Sequence, residues 1–316
     1  MLAPQPFYQE RGTPIAVRLA LEVLAKRPET EMTVLTYDEG KKILIPRVQQ
    51  ERSFLPQFLR PIRPGISWQK LVADIFFLFR TFSLLVGRRK EQFDLIHAVE
   101  ESVFIAYIAK LIFGIPYIYD MDSSLSLQVS ERWKWSRLIT PFMRLCERIV
   151  IRRAVAVVPV CDALAKIAFG HGARDLEILH DISLLDFEEA IPQPLSLREE
   201  CQVPLHLPLA VYVGNLEPYQ GIDLLLESIA LHRLDGKGSV IVIGGTEEHI
   251  SFYRQKADSL GIASSVSFTG PKPVTQLPTI LNEADILLSP RTQGNNTPMK
   301  IYSYLHSGKA ILATRL

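Results

Sequence analysis

Short apolar runs rich in β-branched residues recur along this chain, and stretches of helical periodicity separate them. The first series covers residues 32–37, 93–99, 116–119, 155–160 and 176–179. A second covers 209–214, 240–244, 266–269, 285–289 and 310–314. Such alternation predicts parallel strands joined by crossover helices. Residues 181–208 between the series are rich in Pro, Glu and Leu without steady periodicity, and read as an interdomain linker. The expected fold is α/β: two Rossmann-like domains, residues 1–190 and 191–316, facing each other across a cleft. Ligands are expected at the carboxyl ends of the strands.

Of the 316 residues, 47% are hydrophobic and 22% charged, with a formal net charge of +1. This is an ordinary globular composition, and its balanced charge argues against disorder and against a dedicated nucleic-acid binder. Cys146, Cys161 and Cys201 lack metal-ligand spacing and suit inert thiols in a reducing compartment. Met1-Leu2-Ala3-Pro4 has no basic lead or long apolar core, so no signal peptide and a cytoplasmic location are expected. Met1 starts almost inside the first strand and Leu316 directly follows a strand-like run, which reads as a shortened chain with an incomplete second domain.

Residues 71–86 (LVADIFFLFRTFSLLV) carry Asp74 and Arg80 and fall short of the roughly 20 apolar residues that span a bilayer. Two readings remain open for them. One is a helix packed on a sheet. The other is an interfacial helix, with Arg80, Arg88, Arg89 and Lys90 at anionic headgroups and Trp68 in the acyl boundary. Residues 132–153 (RWKWSRLITPFMRLCERIVIRR) allow the same pair of readings, a partly solvated helix or a lipid-facing one at the inner face of the membrane.

Three strand-to-helix junctions could hold phosphate. In the first, residues 4–14, Gly12 permits close backbone approach, Thr13 suits an N-cap and Pro14 suits N1 of a helix beginning near Ile15. The second, residues 213–223, brackets a polar loop with Gly214 and Gly221 and lacks the G-x-G-x-x-G pattern of dinucleotide enzymes. Gly244-Gly245, after the strand ending at Ile243, could also admit a nucleotide close to backbone, although a simple turn explains it more cheaply. In the third, residues 290–300, Thr297 and Pro298 repeat the cap arrangement. Lys300 there opposes the helix dipole unless it faces solvent or a bound anion, and Arg291 lies in the same loop.

These residues resemble the retaining glycosyltransferase family 4, which has the GT-B fold. Residues 211–227 (VYVGNLEPYQGIDLLLE) are similar to its first C-domain strand, loop and helix, and Phe268-Thr269-Gly270 with residues 277–290 (LPTILNEADILLSP) to the signature preceding its donor site. Residues 297–314 (TPMKIYSYLHSGKAILAT) resemble its diphosphate-binding helix and the following strand. In the first half, Gly12-Thr13-Pro14 resembles its glycine loop, and residues 94–98 (DLIHA) the strand end that carries its active-site histidine.

The resemblance implies transfer of a glycosyl group from a nucleotide diphosphate sugar to a hydroxyl acceptor, with retention, in polysaccharide or glycolipid biosynthesis. It implies no cofactor or obligatory metal, and allows a lipid-linked acceptor and peripheral membrane contact. His97, Asp120 and Asp122 are then the catalytic candidates, and Glu100 and Glu101 rank below them because they also suit helix capping. Gly12, Gly214, Asn215, Gln220, Arg291, Asn295, Thr297, Lys300 and Ser303 are the candidates for the donor diphosphate. The family commonly has Arg and Lys where this chain has Asn215 and Gln220, and two glutamates where it has Asn295 and Ser303. Either Lys300 and Arg291 take over the charge, which the balanced loss of two cations and two anions favours, or donor chemistry is impaired. Two other functions stay open: a catalytically silent GT-B protein that binds sugar nucleotide or a partner, and a nucleotide-sugar epimerase.

Overall fold

The computed structural model describes residues 1–5, 12–40, 44–62, 67–87, 93–132, 139–183, 185, 196–232, 236–294 and 296–315. They form two compact units, Met1–His180 and Asp181–Leu316. The domain boundary expected at residues 190 and 191, like Arg88, Arg89, Lys90, Asn295 and residues 133–138, lies outside the described residues.

The first unit is built on six parallel strands: β1 (Leu2–Ala3), β2 (Met32–Tyr37), β3 (Val48–Ser53), β4 (Ile96–Val99), β5 (Tyr117–Met121) and β6 (Ala156–Pro159). Between and after them run α1 (Gly12–Ala25), α2 (Trp68–Gly87), α3 (Ser102–Phe113), α4 (Leu125–Arg132), α5 (Thr140–Arg153) and α6 (Asp162–Gly170). The strand order β3-β2-β1-β4-β5-β6 reverses direction between β1 and β4, so their carboxyl ends open the crevice where such sheets take ligands. Tyr37, Phe77, Tyr117 and Met121 are fully buried in the core, which the sheet shares with its helices.

The second unit has five parallel strands: β7 (Leu209–Val213), β8 (Ser239–Ile243), β9 (Val266–Gly270), β10 (Ile286–Ser289) and β11 (Ala310–Ala313). Its helices are α7 (Leu197–Glu200), α8 (Ile222–His232), α9 (Glu247–Ser259), α10 (Leu277–Glu283) and α11 (Met299–His306). The order β11-β10-β7-β8-β9 reverses between β7 and β10. Apolar clusters fill both faces of the sheet, one under α8 and α9 and the other under α10 and α11.

Several local expectations need correction. Residues 176–179 form no strand; Leu176 makes a single bridge to Val157, and Leu179 is exposed as the chain leaves the edge of β6. Strand β3 (VQQERS) is too polar to be read from apolar pattern. It is tolerated because an edge strand needs only one paired neighbour, here β2. Thr13 is not an N-cap, since α1 already begins at Gly12 and takes Thr13 and Pro14 into its first turn. Thr297 is not one either: Pro298 occupies the cap of α11 and no side chain caps that terminus.

Helix α2 is apolar on two faces. Ala73, Phe77, Thr81 and Leu85, spaced four apart, are buried against the sheet, while Trp68, Leu71, Ile75, Phe79 and Val86 are exposed. No described helix is long and apolar enough to cross a membrane.

Candidate functional site

In the second unit, the loops leaving β7 and β10 meet at the switch point. Gly221 takes φ +73°, and a Cβ there would fall 1.9 Å from the Pro290 carbonyl oxygen, so only glycine lets the two loops touch backbone to backbone. The Thr292 amide donates to Tyr219 O at 2.9 Å and closes the contact. Tyr304 on α11 fixes the strands beneath: its hydroxyl accepts from the Val213 amide at 2.9 Å and donates to Leu288 O at 3.4 Å.

Lys300 lies in the first turn of α11 and points into this junction. Its Nζ donates to Gln220 Oε1 at 3.2 Å and sits 3.8 Å above the Tyr212 ring. Gly214 makes room for it, since a Cβ there would approach Nζ to 2.8 Å. No carboxylate among the described residues pairs with this ammonium. Burial, and then the nearby Arg291 charge, lower its pKa to about 7. Lys300 is thus half-buried, with its ammonium partnered inside the junction by Gln220 and the Tyr212 ring. The arrangement is a cation enclosed by an aromatic ring, an amide oxygen and a glycine, which favours any anion able to reach it.

Arg291 is braced by its own loop. Its Nε donates to Gln293 O at 2.6 Å, and its two terminal nitrogens donate to Asn296 O and Oδ1 at 3.0 and 2.9 Å. Asn215 shapes the neighbouring loop: Oδ1 accepts from the Glu217 amide at 3.3 Å and Nδ2 donates to the Tyr219 hydroxyl at 3.4 Å. Ser303 is buried one turn beyond Lys300, and Thr297 is partly buried just ahead of the helix. The structure thus gathers Gly214, Gln220 and Lys300 at one point, with Arg291 beside them. Gly12 lies in the first unit at the start of α1. Tyr212 and Tyr304 were not singled out from sequence, because a tyrosine in an apolar run reads as core until its hydroxyl is placed.

In the first unit, β4 and β5 carry His97 and Asp120 on the same face, and His97 Nε2 lies 2.8 Å from Asp120 Oδ2. Asp122 follows on the turn after β5. Glu100 stands at the end of β4 with φ +50° and accepts from Gln5 Nε2 at 3.2 Å. Lys70 on α2 reaches Glu101 at 2.5 Å and Glu100 at 3.9 Å, and the Tyr37 hydroxyl donates to Asp74. Lys70, Asp74, Gln5 and Tyr37 were missed as site residues. The only sequence signal was a charged residue inside an otherwise apolar helix.

Burial raises Glu100 to about 7, with Lys70 opposing the shift and Glu101 and Asp120 adding to it. Burial and Glu101 likewise raise Asp74 to about 7. Burial alone would lower the Lys70 ammonium, but Glu101, Glu100 and Asp74 outweigh it and hold it above its ordinary value. A carboxyl with a raised folded-state pKa stabilises fully below its unfolded value, and the contribution is lost as pH rises through the folded one. The contribution of these two carboxyls to first-unit stability should therefore decline as pH rises from about 4 to about 7. Glu100→Gln should flatten that decline in denaturant titrations followed by tryptophan fluorescence, since Trp68, Trp133 and Trp135 all precede His180. Equal slopes in variant and wild type would disprove the assignment.

Two parallel α/β units, each with polar side chains gathered where its strand order reverses, define the class as GT-B. Solved structures bear this out. The chain matches a sucrose-phosphate synthase from Thermosynechococcus elongatus with a TM-score of 0.73 at 16% identity, covering 96% of this chain and 75% of that one. It matches Anabaena Alr3699/HepE, solved with UDP and glucose, with a TM-score of 0.72 at 17% identity, covering 99% and 79%.

The profile described as glycosyl transferase 4-like domain matches residues 12–179, and that described as glycosyl transferases group 1 matches residues 196–316. The chain belongs to the glycosyl transferase 4-like family. Among curated relatives, a D-inositol 3-phosphate glycosyltransferase of Corynebacterium glutamicum is 24% identical over 238 residues, 72% of this chain and 57% of the relative. An alpha-D-kanosaminyltransferase of Streptomyces kanamyceticus is 22% identical over 194 residues, 60% of this chain and 50% of the relative. The chain thus spans about half the length of these relatives.

Proposed function

We propose that this chain transfers a glycosyl group from a nucleotide diphosphate sugar to a hydroxyl acceptor, with retention at the anomeric carbon. One observation carries the reading: the Lys300 ammonium is held at the switch point of the second sheet by Tyr212, Gly214 and Gln220, with no carboxylate partner among the described residues. A diphosphate leaving group would supply the missing anion. Lys300 would stabilise its growing charge as the glycosidic bond breaks, aided by the amides at the start of α11 and the field of Arg291. Lys300 and Arg291 then replace the cations absent at Asn215 and Gln220. The relatives named as glycosyltransferases, and the neighbour solved with UDP and glucose, support the same donor class.

His97 and Asp120 act as a pair in this reading. Asp120 fixes the ring so that its Nδ1 is left to meet the transferred sugar or the acceptor hydroxyl. The first test is ligand-observed NMR with UDP-, GDP- and ADP-sugars. Binding of one of them is expected, and binding of none would reject the reading. A product assay separates transfer from epimerisation, and turnover separates both from a silent binder.

Peripheral contact with an anionic membrane is part of the proposal. On α5, Phe142, Leu145 and Ile149 are exposed beside exposed Arg144, Arg148 and Arg152, while its one carboxylate, Glu147, is buried. That makes α5 an amphipathic, basic surface of the kind that enters a headgroup layer. The chain should co-sediment with vesicles containing phosphatidylglycerol and not with purely zwitterionic ones. At about 1 kcal/mol per basic residue, Arg144→Glu with Arg148→Glu should weaken the binding at least tenfold. Equal partition to both vesicle types would reject membrane contact.

A further inference from the structure

The carboxyl edge of the first sheet carries a polar centre that the diphosphate role of Lys300 and Arg291 leaves unassigned. Asp74, Glu100, Glu101 and Asp120 converge there, against Lys70 and the His97 ring. The lysine is already committed to Glu101 at 2.5 Å, so the centre is rich in hydrogen-bond acceptors and poor in donors. Gln5 makes the imbalance specific. It is 6% exposed, its Nε2 is spent on Glu100, and its Oε1 is buried with no hydrogen-bond partner among the described residues. A buried acceptor atom left without a donor is costly, and this one belongs to the side chain that borders the carboxylate cluster through Glu100. Gln5 leaves β1 and Glu100 leaves β4, the two strands between which the order reverses.

We propose that this centre selects the acceptor by charge: it takes the hydroxyl face of a neutral or amine-bearing sugar or cyclitol, and excludes acceptors phosphorylated on the ring it binds. The inference rests on the glycosyl-transfer reading above. Hydroxyl or ammonium protons of the acceptor would donate to Gln5 Oε1 and to the carboxylates. A phosphate in their place offers only acceptor oxygens and brings negative charge beside Glu100, Glu101 and Asp120. Metal binding does not explain the cluster, because no three His, Cys, Asp or Glu side chains among the described residues are arranged to hold an ion. Burial first, and then the neighbouring carboxylates, raise Glu100 and Asp74 despite the opposing Lys70 charge, in keeping with a crowded acidic centre.

The test is saturation-transfer NMR on the full chain with myo-inositol, 2-deoxystreptamine, octyl glucoside and inositol 1-phosphate as probes, with the donor that binds present. Octyl glucoside separates a glycolipid headgroup from a soluble acceptor. At least one unphosphorylated probe should bind, and the phosphorylated one should bind at least tenfold more weakly. Gln5→Met, which keeps the size of the side chain, should weaken the best probe about tenfold and leave donor affinity unchanged. Equal or tighter binding of the phosphorylated probe, no binding of any probe, or an unaltered Gln5→Met variant would each overturn the proposal. Circular dichroism of Gln5→Met and of a second variant, Gln5→Ala, excludes misfolding as the cause of a loss. Failure of the donor to bind wild type would instead count against glycosyl transfer, and the probe titrations without donor would still decide the charge preference.

Discussion

Replacing Lys300 by methionine should weaken nucleotide-sugar binding about 10- to 100-fold, the loss expected when a charge-assisted hydrogen bond of about 1.5–3 kcal/mol is removed. Methionine keeps the apolar stem in place over Tyr212 and removes only the charge, so the effect reports the ammonium and not the packing. Gly214→Ala offers a second route to the same result. Its Cβ would press on the Lys300 ammonium at 2.8 Å and on the Tyr212 hydroxyl at 3.0 Å, and at φ +152° it strains the backbone as well, so it displaces the ammonium less cleanly than Lys300→Met removes it. Both variants should retain near-normal secondary structure by circular dichroism. Donor affinity unchanged in both would remove Lys300 from the site.

Gly221→Ala should strongly disrupt the second unit. Two effects add. The residue has φ +73°, a conformation that costs an L side chain about 1–2 kcal/mol. The new Cβ would also collide at 1.9 Å with the Pro290 carbonyl oxygen, a backbone atom that moves only if the loop after β10 moves with it. We expect a total loss on the order of 3–5 kcal/mol, together with loss of the junction that presents Gln220 to Lys300. Gly261→Ala is the control, with φ +69° and nothing within 4 Å of the added carbon, so strain alone applies. Hydrogen exchange in β7 and α8 should report a much larger loss of protection for Gly221→Ala. Equal losses would show that the close contact contributes nothing.

The parallel strands were legible because those buried on both faces are continuous apolar runs. Residues 32–37 and 209–213 were placed within a residue of their observed limits. β3 was not legible, since an edge strand with a half-solvated face carries Gln, Glu and Arg without penalty. Lys300 stood out in the sequence because a cation in a first helical turn opposes the dipole, and the structure places it half-buried against Gln220 and the Tyr212 ring. What sequence could not supply was the company it keeps. Tyr212 lies 88 residues away in the chain, and Tyr304 looks like any core aromatic until its hydroxyl spans β7 and β10. Cap residues misled for a related reason: Thr-Pro before a helix suits a cap locally, yet the observed starts fall one or two residues away, set by tertiary fit. The carboxylate centre of the first unit draws on β1, β2, β4, β5 and α2, and no linear spacing encodes such a meeting.

The most direct test of the central claim, that Lys300 receives the donor diphosphate, is proton uptake on binding. The sugar diphosphate does not itself titrate near neutrality, and a lysine with a pKa of about 7 is roughly half protonated at pH 7 in the free protein. Binding an anion raises that pKa and draws in a proton. Calorimetric titration at pH 7 in two buffers of different ionisation enthalpy should therefore show uptake of about half a proton per donor bound, and affinity should fall as pH rises above about 7. In Lys300→Met the uptake should vanish. Donor binding by the wild type with no proton uptake, or the same uptake in the methionine variant, would contradict the account.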